Sequence, residues 1–243
     1  MRNHRVVLSA AIVLVGLATV SPVIGQEVGH GAAQGGGPEV APLIERVLEA
    51  YGGRERLGQV HSYRFEATMQ ALVRAQTADL ERVSRGHDSL EVVIHYADQG
   101  EVRSLVEGRG WRGASRDTLQ EVQGPMLNSM RTQAMRANVP WVLAELAERV
   151  ELIDATEEEY LLGVRLAGDA AIRFWVDTAS DRVTRTEAVV SAGQSVMIFA
   201  TDFSDFREVE GVLFPFHEET WAQGTHTASI DVGSLQWNPP EQP

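Results

Sequence analysis

Histidines and carboxylates are the residues of this chain that could do chemistry, because it contains no cysteine. The run His217-Glu218-Glu219 places an imidazole beside two carboxylates, and zinc accepts both kinds of ligand. The run lacks the second histidine of the H-E-x-x-H motif, and in a strand His217 and Glu218 would point to opposite faces. The sequence therefore predicts no metal site.

Acid–base and nucleophilic catalysis have little support. Asp202 and Asp205 could form a carboxylate pair, but they fall at a predicted strand end and in a turn, which favours a solvated acidic loop. The chain has no G-x-S-x-G turn for a serine nucleophile, and the glycine run 35–37 is not followed by the Lys-Ser/Thr of a phosphate loop. We predict a protein that is not an enzyme and uses no cofactor. A hydrolase built on Asp202 or His217 is the remaining catalytic alternative.

The chain is strongly acidic. It has 34 aspartates and glutamates against 21 basic residues, all of them arginine, and a formal net charge of −13. Such a charge favours solubility and disfavours nucleic acid or an anionic lipid surface as a partner. Without cysteine, disulfides and thiolate metal sites are also excluded.

The first 25 residues are typical of a secretory signal peptide. Arg2 and Arg5 give a positive start, an apolar run follows over 6–20, and a cleavage site is predicted after Gly25. The alternative is a retained membrane anchor, but the apolar run is short for a bilayer span. Cleavage would leave no transmembrane segment, and the glycine-rich residues 26–38 would form a flexible tether.

Hydrophobic periodicity predicts one helix, several strands, a helical insertion and then many strands. Residues 40–51 carry apolar side chains at three- and four-residue spacing, which is typical of an amphipathic helix. Residues 61–73 alternate between apolar and polar side chains, which indicates an antiparallel strand with one dry face. Further strands are predicted at 78–85, 89–97, 101–107, 150–154, 158–167, 171–177, 182–190, 194–204, 212–222 and 225–236, with a turn at 108–113 and helices at 118–136 and 139–149.

Three short segments of the sequence can be compared with a known protein family: YGGRERL at 51–57, FWVD at 174–177 and DFREVEGVLFPF at 205–216. In this order they resemble the bacterial outer-membrane lipoprotein-sorting group, the LolA-like superfamily. The resemblance implies an α+β fold, with a strongly curved antiparallel sheet (an incomplete β-barrel) and helices packed over its concave face. A single LolA-like domain would span 39–237, followed by an irregular tail at 238–243.

The resemblance also implies a function. Proteins of this group hold acyl chains in an apolar cavity between the sheet and the helices. The expected function is therefore that of a periplasmic binding or carrier protein, whose partner is a lipid acyl chain or a lipidated protein. An envelope sensor or protein-interaction module with the same fold is the alternative.

Nine apolar residues are the candidate cavity lining: Phe65, Met69, Ile94, Tyr96, Met126, Met130, Trp141, Phe174 and Phe199. The thioethers of Met126 and Met130 adapt to irregular apolar shapes, which suits a helical lid that meets variable acyl chains. Each buried methylene would contribute about 0.8 kcal/mol, so apolar contact alone could hold a lipid. Ordinary core packing is the alternative for all nine residues.

Overall fold

The computed structural model describes residues 39–167 and 170–240 of the chain. The predicted signal peptide and tether lie outside the described residues, as do residues 241–243 of the predicted tail. The first described helix begins at Val40 and the last described strand ends at Trp237. The domain boundaries themselves stay a prediction.

The described residues form four α-helices and thirteen strands. The helices are α1 (Val40–Ala50), α2 (Arg54–Gln59), α3 (Gly124–Ala137) and α4 (Val139–Glu145). The strands are β1 (Tyr63–Ala71), β2 (Gln76–Arg85), β3 (Ser89–His95), β4 (Gly100–Val106), β5 (Arg109–Gly113), β6 (Gln120–Val122), β7 (Val150–Ala155), β8 (Glu159–Arg165), β9 (Ala170–Asp177), β10 (Val183–Ala192), β11 (Ser195–Val209), β12 (Val212–Ala222) and β13 (Thr225–Trp237). None of the helices in this part of the chain has both the length and the apolar character needed to cross a bilayer.

All thirteen strands belong to one antiparallel sheet, in the order β6-β5-β4-β3-β2-β1-β13-β12-β11-β10-β9-β8-β7. The first and last strands pair in its middle, with Tyr63 opposite Trp237 and Met69 opposite Ile230. The sheet is open, with β6 at one edge and β7 at the other, and the segment between these strands contains α3 and α4. The predicted fold class is confirmed: an α+β fold with a curved, open antiparallel sheet and helices over its concave face.

The first strand explains why the sequence alternates. Tyr63, Phe65, Ala67, Met69 and Ala71 are buried, while the residues between them are more exposed. Burying a large apolar side chain contributes about 1.5–3 kcal/mol, and a slip of one residue would turn every one of these side chains outward. The predicted dry and wet faces of this strand are confirmed.

Two of the segments that carry the resemblance meet just after α1. Gly52 has φ +116°, and a Cβ atom there would overlap the carbonyl oxygen of Gly211. The amide of Leu213 donates to the Tyr51 carbonyl at 3.1 Å, and Arg56 Nη1 donates to the Gly211 carbonyl at 3.3 Å. Glycine is required at position 52 because the backbones of the α1–α2 turn and the β11–β12 turn approach this closely.

The predicted helix at 118–136 is wrong in its first part. Residues 120–122 form the edge strand β6, which pairs with β5, and α3 begins only at Gly124. Pro125 explains this start, because proline fits the first turn of a helix and disrupts its interior. The second predicted helix is shorter than expected, since α4 ends at Glu145 and a 3-10 turn covers Ala147–Arg149.

The predicted turn at 108–113 is also wrong. The turn is confined to Glu107 and Gly108, which both have positive φ, and Arg109–Gly113 forms β5. At the other end of the chain, β11 runs on past its predicted end at 204. Asp205, at φ +50°, lies within this strand, so Asp202 and Asp205 are both strand residues rather than parts of a solvated loop.

Candidate functional site

A cavity of about 410 Å³ lies between the inner face of the sheet and α3. The helix contacts β4 and β5 on one wall of the sheet and β9 and β10 on the other, and it crosses over the strands between them. We call α3 the lid. The volume falls within the range of small-molecule sites, roughly 300–1,000 Å³.

The floor and the ceiling of this cavity differ in chemistry. The floor is mostly apolar and comes from inward-facing positions of the sheet: Met69, Leu80, Val92, Ile94, Phe203 and Ile230. The ceiling comes from the lid, which presents Ser129, Gln133 and Arg136. The cavity is therefore amphipathic, with hydrogen-bonding side chains on the lid above a floor that is mostly apolar but also carries charged residues of the sheet.

A buried ion pair lines the cavity. Arg82 of β2 reaches over Phe65 of β1, with its guanidinium carbon 4.6 Å from the ring centre, to contact Glu218 of β12. Its two hydrogen bonds to the carboxylate are 2.7 and 2.9 Å long, and the side chains are 6% and 3% exposed. Burial alone would lower the pKa of Arg82, but Glu218 and Tyr63 together outweigh burial and raise this pKa. The ionised pair connects β2 to β12 across the inner face.

Arg136 is the second buried arginine of the cavity. It is 8% exposed, and its Nη1 donates to the neutral hydroxyl of Thr201 at 2.9 Å. Its Nε has no hydrogen-bond partner among the described residues. Burial lowers the pKa of Arg136 to about 10, so the side chain still carries its charge at neutral pH.

Three further arginines line the more exposed side of the cavity. Arg103 and Arg112 both donate to Glu101, at 2.7 and 2.9 Å, and the guanidinium of Arg74 lies 4.8 Å from the ring centre of Tyr96. Burial alone would raise the pKa of Glu101, but the arginines outweigh burial and lower this pKa below its ordinary value. Glu101 is therefore ionised and already occupied by two cations.

The C-terminal end of the lid is fixed to the sheet by hydrogen bonds. Tyr63 Oη donates to the Ala137 carbonyl at 3.1 Å, and Ser84 Oγ donates to Asn138 Oδ1 at 2.9 Å. Burial raises the pKa of Tyr63 to about 12, so the phenol keeps its proton at neutral pH and remains a donor. These bonds hold the α3–α4 junction on the sheet.

The N-terminal end of the lid rests on β5 through side-chain contacts. A Cβ atom at Gly110 would come within 2.9 Å of Leu127 Cδ1 and 3.2 Å of Met130 Sδ. Only glycine allows the helix to lie this close without moving those side chains. Met126, in the first turn of the lid, is 44% exposed.

A second polar cluster lies on the outer face of β12 and β13. His217 contacts Asp231 at 2.7 Å and Glu219 at 2.8 Å, and Glu219 also contacts His226. Glu218 points inward, so His217 and Glu218 lie on opposite faces as the strand pattern predicts. Within 39–167 and 170–240, no group of three or more histidine, aspartate or glutamate side chains has an arrangement that could hold a metal ion.

Replacing Asp231 by asparagine is expected to lower the pKa of His217. The Asp231 carboxylate, helped by Glu219, raises this pKa above 6.5 because it stabilises the imidazolium. Since the pKa is higher in the folded state, the interaction stabilises the fold fully below about pH 6.5 and loses this effect as the pH rises through the folded pKa. NMR titration of the His217 ring measures the shift. Asp154→Asn on β7 is the control, and a midpoint unchanged by Asp231→Asn would contradict the prediction.

Comparison with known proteins gives structural neighbours. No family model matches the chain, and no curated protein matches it. A LolA superfamily protein from Nitrosomonas europaea is 14% identical, with 84% of this chain and 96% of that chain covered and a TM-score of 0.53. A DUF1329 family protein from Desulfovibrio piger is 12% identical, with 84% and 95% covered and a TM-score of 0.54. A domain from Vibrio parahaemolyticus, described as an outer-membrane lipoprotein-sorting protein, is 9% identical, with 83% and 93% covered and a TM-score of 0.52. The fold is LolA-like.

In the LolA-like fold, the nine predicted ligand-binding residues lie in three different environments: the cavity, the core and the more exposed surface. Four of them line the cavity: Met69, Ile94, Tyr96 and Phe199. Three are buried in the core: Phe65, Met130 and Phe174. Trp141 is half-buried and donates its Nε1 to the Leu57 carbonyl at 3.0 Å, while Met126 is exposed at the start of the lid. Contact of these residues with a ligand stays a prediction.

Sequence reasoning missed the charged residues of the cavity in this LolA-like fold. A signal for two of them exists, since Arg82 occupies the inward register of β2 and Glu218 that of β12. A charged residue in a buried register is rare unless it is paired, so two such residues point to each other. Arg136 gives no comparable signal, because arginine is common on exposed helix faces.

Proposed function

We propose that this protein is a periplasmic carrier that binds a lipid or a lipidated protein by enclosing an acyl chain between the sheet and the lid. The cavity of about 410 Å³ with its apolar floor is the observation that carries the proposal. Two structural neighbours support it, one being a LolA superfamily protein and the other a domain described as lipoprotein-sorting. Binding of this kind makes and breaks no covalent bond, so the proposed protein is not an enzyme.

The lid would open at its N-terminal end. Its C-terminal end is hydrogen-bonded to the sheet through Tyr63 and Ser84, and Arg131 in its middle donates to the Gly108 carbonyl at 2.9 Å. Its N-terminal end rests on β5 through the side chains of Leu127 and Met130. Side-chain contacts of this kind can be replaced by contacts with a hydrocarbon chain at little cost. Each methylene that leaves water for the cavity contributes about 0.8 kcal/mol.

Filling the cavity from its floor should weaken acyl binding. Ala228 on β13 is 7% exposed and lines the cavity, so a phenylalanine there would occupy space that an acyl chain needs. Displacing two methylenes would cost about 1.6 kcal/mol, which lowers affinity by more than about tenfold. We expect Ala228→Phe to show at least this loss in titrations with a fluorescent, uncharged acyl probe.

The matched control is Ala155→Phe, because Ala155 is exposed on the edge strand β7. This variant should bind the probe as the wild-type protein does. Native mass spectrometry of protein purified from the periplasm, followed by lipid extraction, gives a second readout. A wild-type protein that carries no lipid and binds no acyl probe would overturn the proposal.

A protein-interaction module with the same fold is the second candidate. Leu72 and Val73 in the β1–β2 turn, and Val196 and Ile198 on β11, are large apolar residues with 37–67% of their surface exposed. The same titration separates the two candidates, because an interaction module would bind no acyl probe.

A further inference from the structure

We propose that the cavity selects amphiphiles that carry an anionic group, and that Arg136 on the lid is the residue that binds this group. This inference rests on the proposed function and names its ligand class, a long acyl chain that bears one carboxylate or phosphate. The apolar floor would hold the chain, and the polar ceiling would hold the anion.

The charge of the cavity is opposite to the charge of the protein. The whole chain has a formal net charge of −13. The cavity is lined by five arginines and two glutamates, an excess of three positive charges: Arg74, Arg82, Arg103, Arg112, Arg136, Glu101 and Glu218. A concave site lined by one sign of charge attracts ligands of the other sign. Cations concentrated in one cavity of an acidic protein therefore favour an anionic ligand.

Both carboxylates of the cavity are already engaged. Glu218 accepts two hydrogen bonds from Arg82, and Glu101 accepts from Arg103 and Arg112. Glu187, the other carboxylate whose charge acts on Arg136, forms its own ion pair with an arginine on the neighbouring strand β9. Arg136 is thus a buried arginine whose hydrogen-bond partner is a neutral hydroxyl, and no carboxylate of the described residues pairs with it.

The geometry at Arg136 suits an incoming anion. An unpaired buried charge is costly, and a ligand anion would remove that cost. The guanidinium offers a planar fork that matches carboxylate and phosphate oxygens, and its Nε has no partner among the described residues. Thr186, opposite Thr201 in the β10–β11 register, is fully buried, and its hydroxyl also lacks a partner within that part of the chain.

The lid supplies further hydrogen-bonding groups near this arginine. Gln133 and Ser129 lie about one and two helical turns before Arg136 and line the same cavity. An anion under the lid would therefore meet a charged fork and neutral donors on one side. The chain attached to it would extend over Met69 and Ile230 on the floor.

The test is displacement of the uncharged fluorescent acyl probe by three competitors of equal chain length: a fatty acid, an alkyl phosphate and a primary alcohol. At neutral pH the wild-type protein should bind one or both anions about tenfold or more tightly than the alcohol, the order expected for one charge-assisted contact. Arg136→Met should remove this preference while leaving the affinity for the alcohol within about twofold of wild type.

Two further variants test whether the charge of Arg136, and not its packing, determines the preference for anions. Arg136→Lys keeps the charge and should retain a preference for the anions, whereas a merely structural role of Arg136 would not follow the charge. Arg85→Met, which replaces the exposed arginine at the end of β2, is the matched control and should behave as wild type. The relative affinity of fatty acid and alkyl phosphate tells which anion the site prefers.

Three results would overturn the inference. Equal affinity of wild type for the anions and the alcohol would do so, as would an anion preference that survives in Arg136→Met. In both cases the carrier proposal would stand, because the uncharged probe still binds. Failure of every amphiphile, the uncharged probe included, would overturn the carrier proposal and this inference together.

Discussion

Replacing Arg82 by methionine is expected to lower the free energy of unfolding by about 3–5 kcal/mol. The substitution leaves the carboxylate of Glu218, whose side chain is 3% exposed, without its two hydrogen bonds and without its counter-charge. It also removes the contact between the guanidinium and the ring of Phe65. Urea denaturation followed by circular dichroism measures the change.

The double variant Arg82→Met with Glu218→Leu is the decisive comparison. It removes both charges, so nothing ionised is left buried at this position, and the free energy of unfolding should recover most of the loss. A double variant as unstable as Arg82→Met would mean that packing around the arginine stem, rather than the stranded charge, sets the cost. A single variant as stable as wild type would contradict the buried ion pair.

Gly52→Ala is expected to destabilise the protein by about 3 kcal/mol or more. Two effects add at this position. A non-glycine residue at φ +116° is strained, and its Cβ atom would overlap the backbone carbonyl of Gly211. Because a backbone atom cannot rotate away as a side chain can, α1 would have to shift relative to the β11–β12 turn.

Gly58→Ala is the matched control and should act in the opposite direction. Gly58 lies in α2, and no atom lies within 4 Å of the Cβ position there. Alanine is favoured over glycine in a helix by about 0.5–1 kcal/mol. Thermal unfolding of both variants tests the pair, and equal effects at the two glycines would refute the close approach inferred for Gly52.

Much of the fold could be predicted because most strands are longer than six residues and bury one face. β1 and β12 show this pattern directly, and their predicted positions agree closely with the structure. The prediction failed where local signals are weak. β5 contains two glycines and two arginines in five residues, and the three residues of β6 are too short to show any period. The sequence also does not predict α2. Its six residues are too few to show a helical period, and they follow Gly52-Gly53, a pair that marks the end of the preceding helix.

The site could be predicted only in part. A lid over a curved sheet follows from the helical insertion between two sets of strands, and four of the predicted lining residues lie in the cavity. Chemistry alone does not show which lid residues face the cavity. Met130 is buried in the core and Met126 is 44% exposed, while Ser129, Gln133 and Arg136 line the cavity. The sequence shows which side chains share a helix face, but only tertiary structure shows which face covers empty space.

The central pairing of β1 with β13 determines how much of the chain the sheet requires. β1–β6 and β7–β13 are each runs of sequential neighbours, and in the described sheet they are joined through this single pairing. A polypeptide that stopped before Thr225 would keep twelve of the thirteen strands but would form two smaller sheets. Each sheet would have a new unpaired edge strand, β1 in one and β12 in the other, and unpaired edges favour aggregation. During synthesis, the single thirteen-stranded sheet can therefore form only after β13 has been translated, because β13 pairs with both β1 and β12.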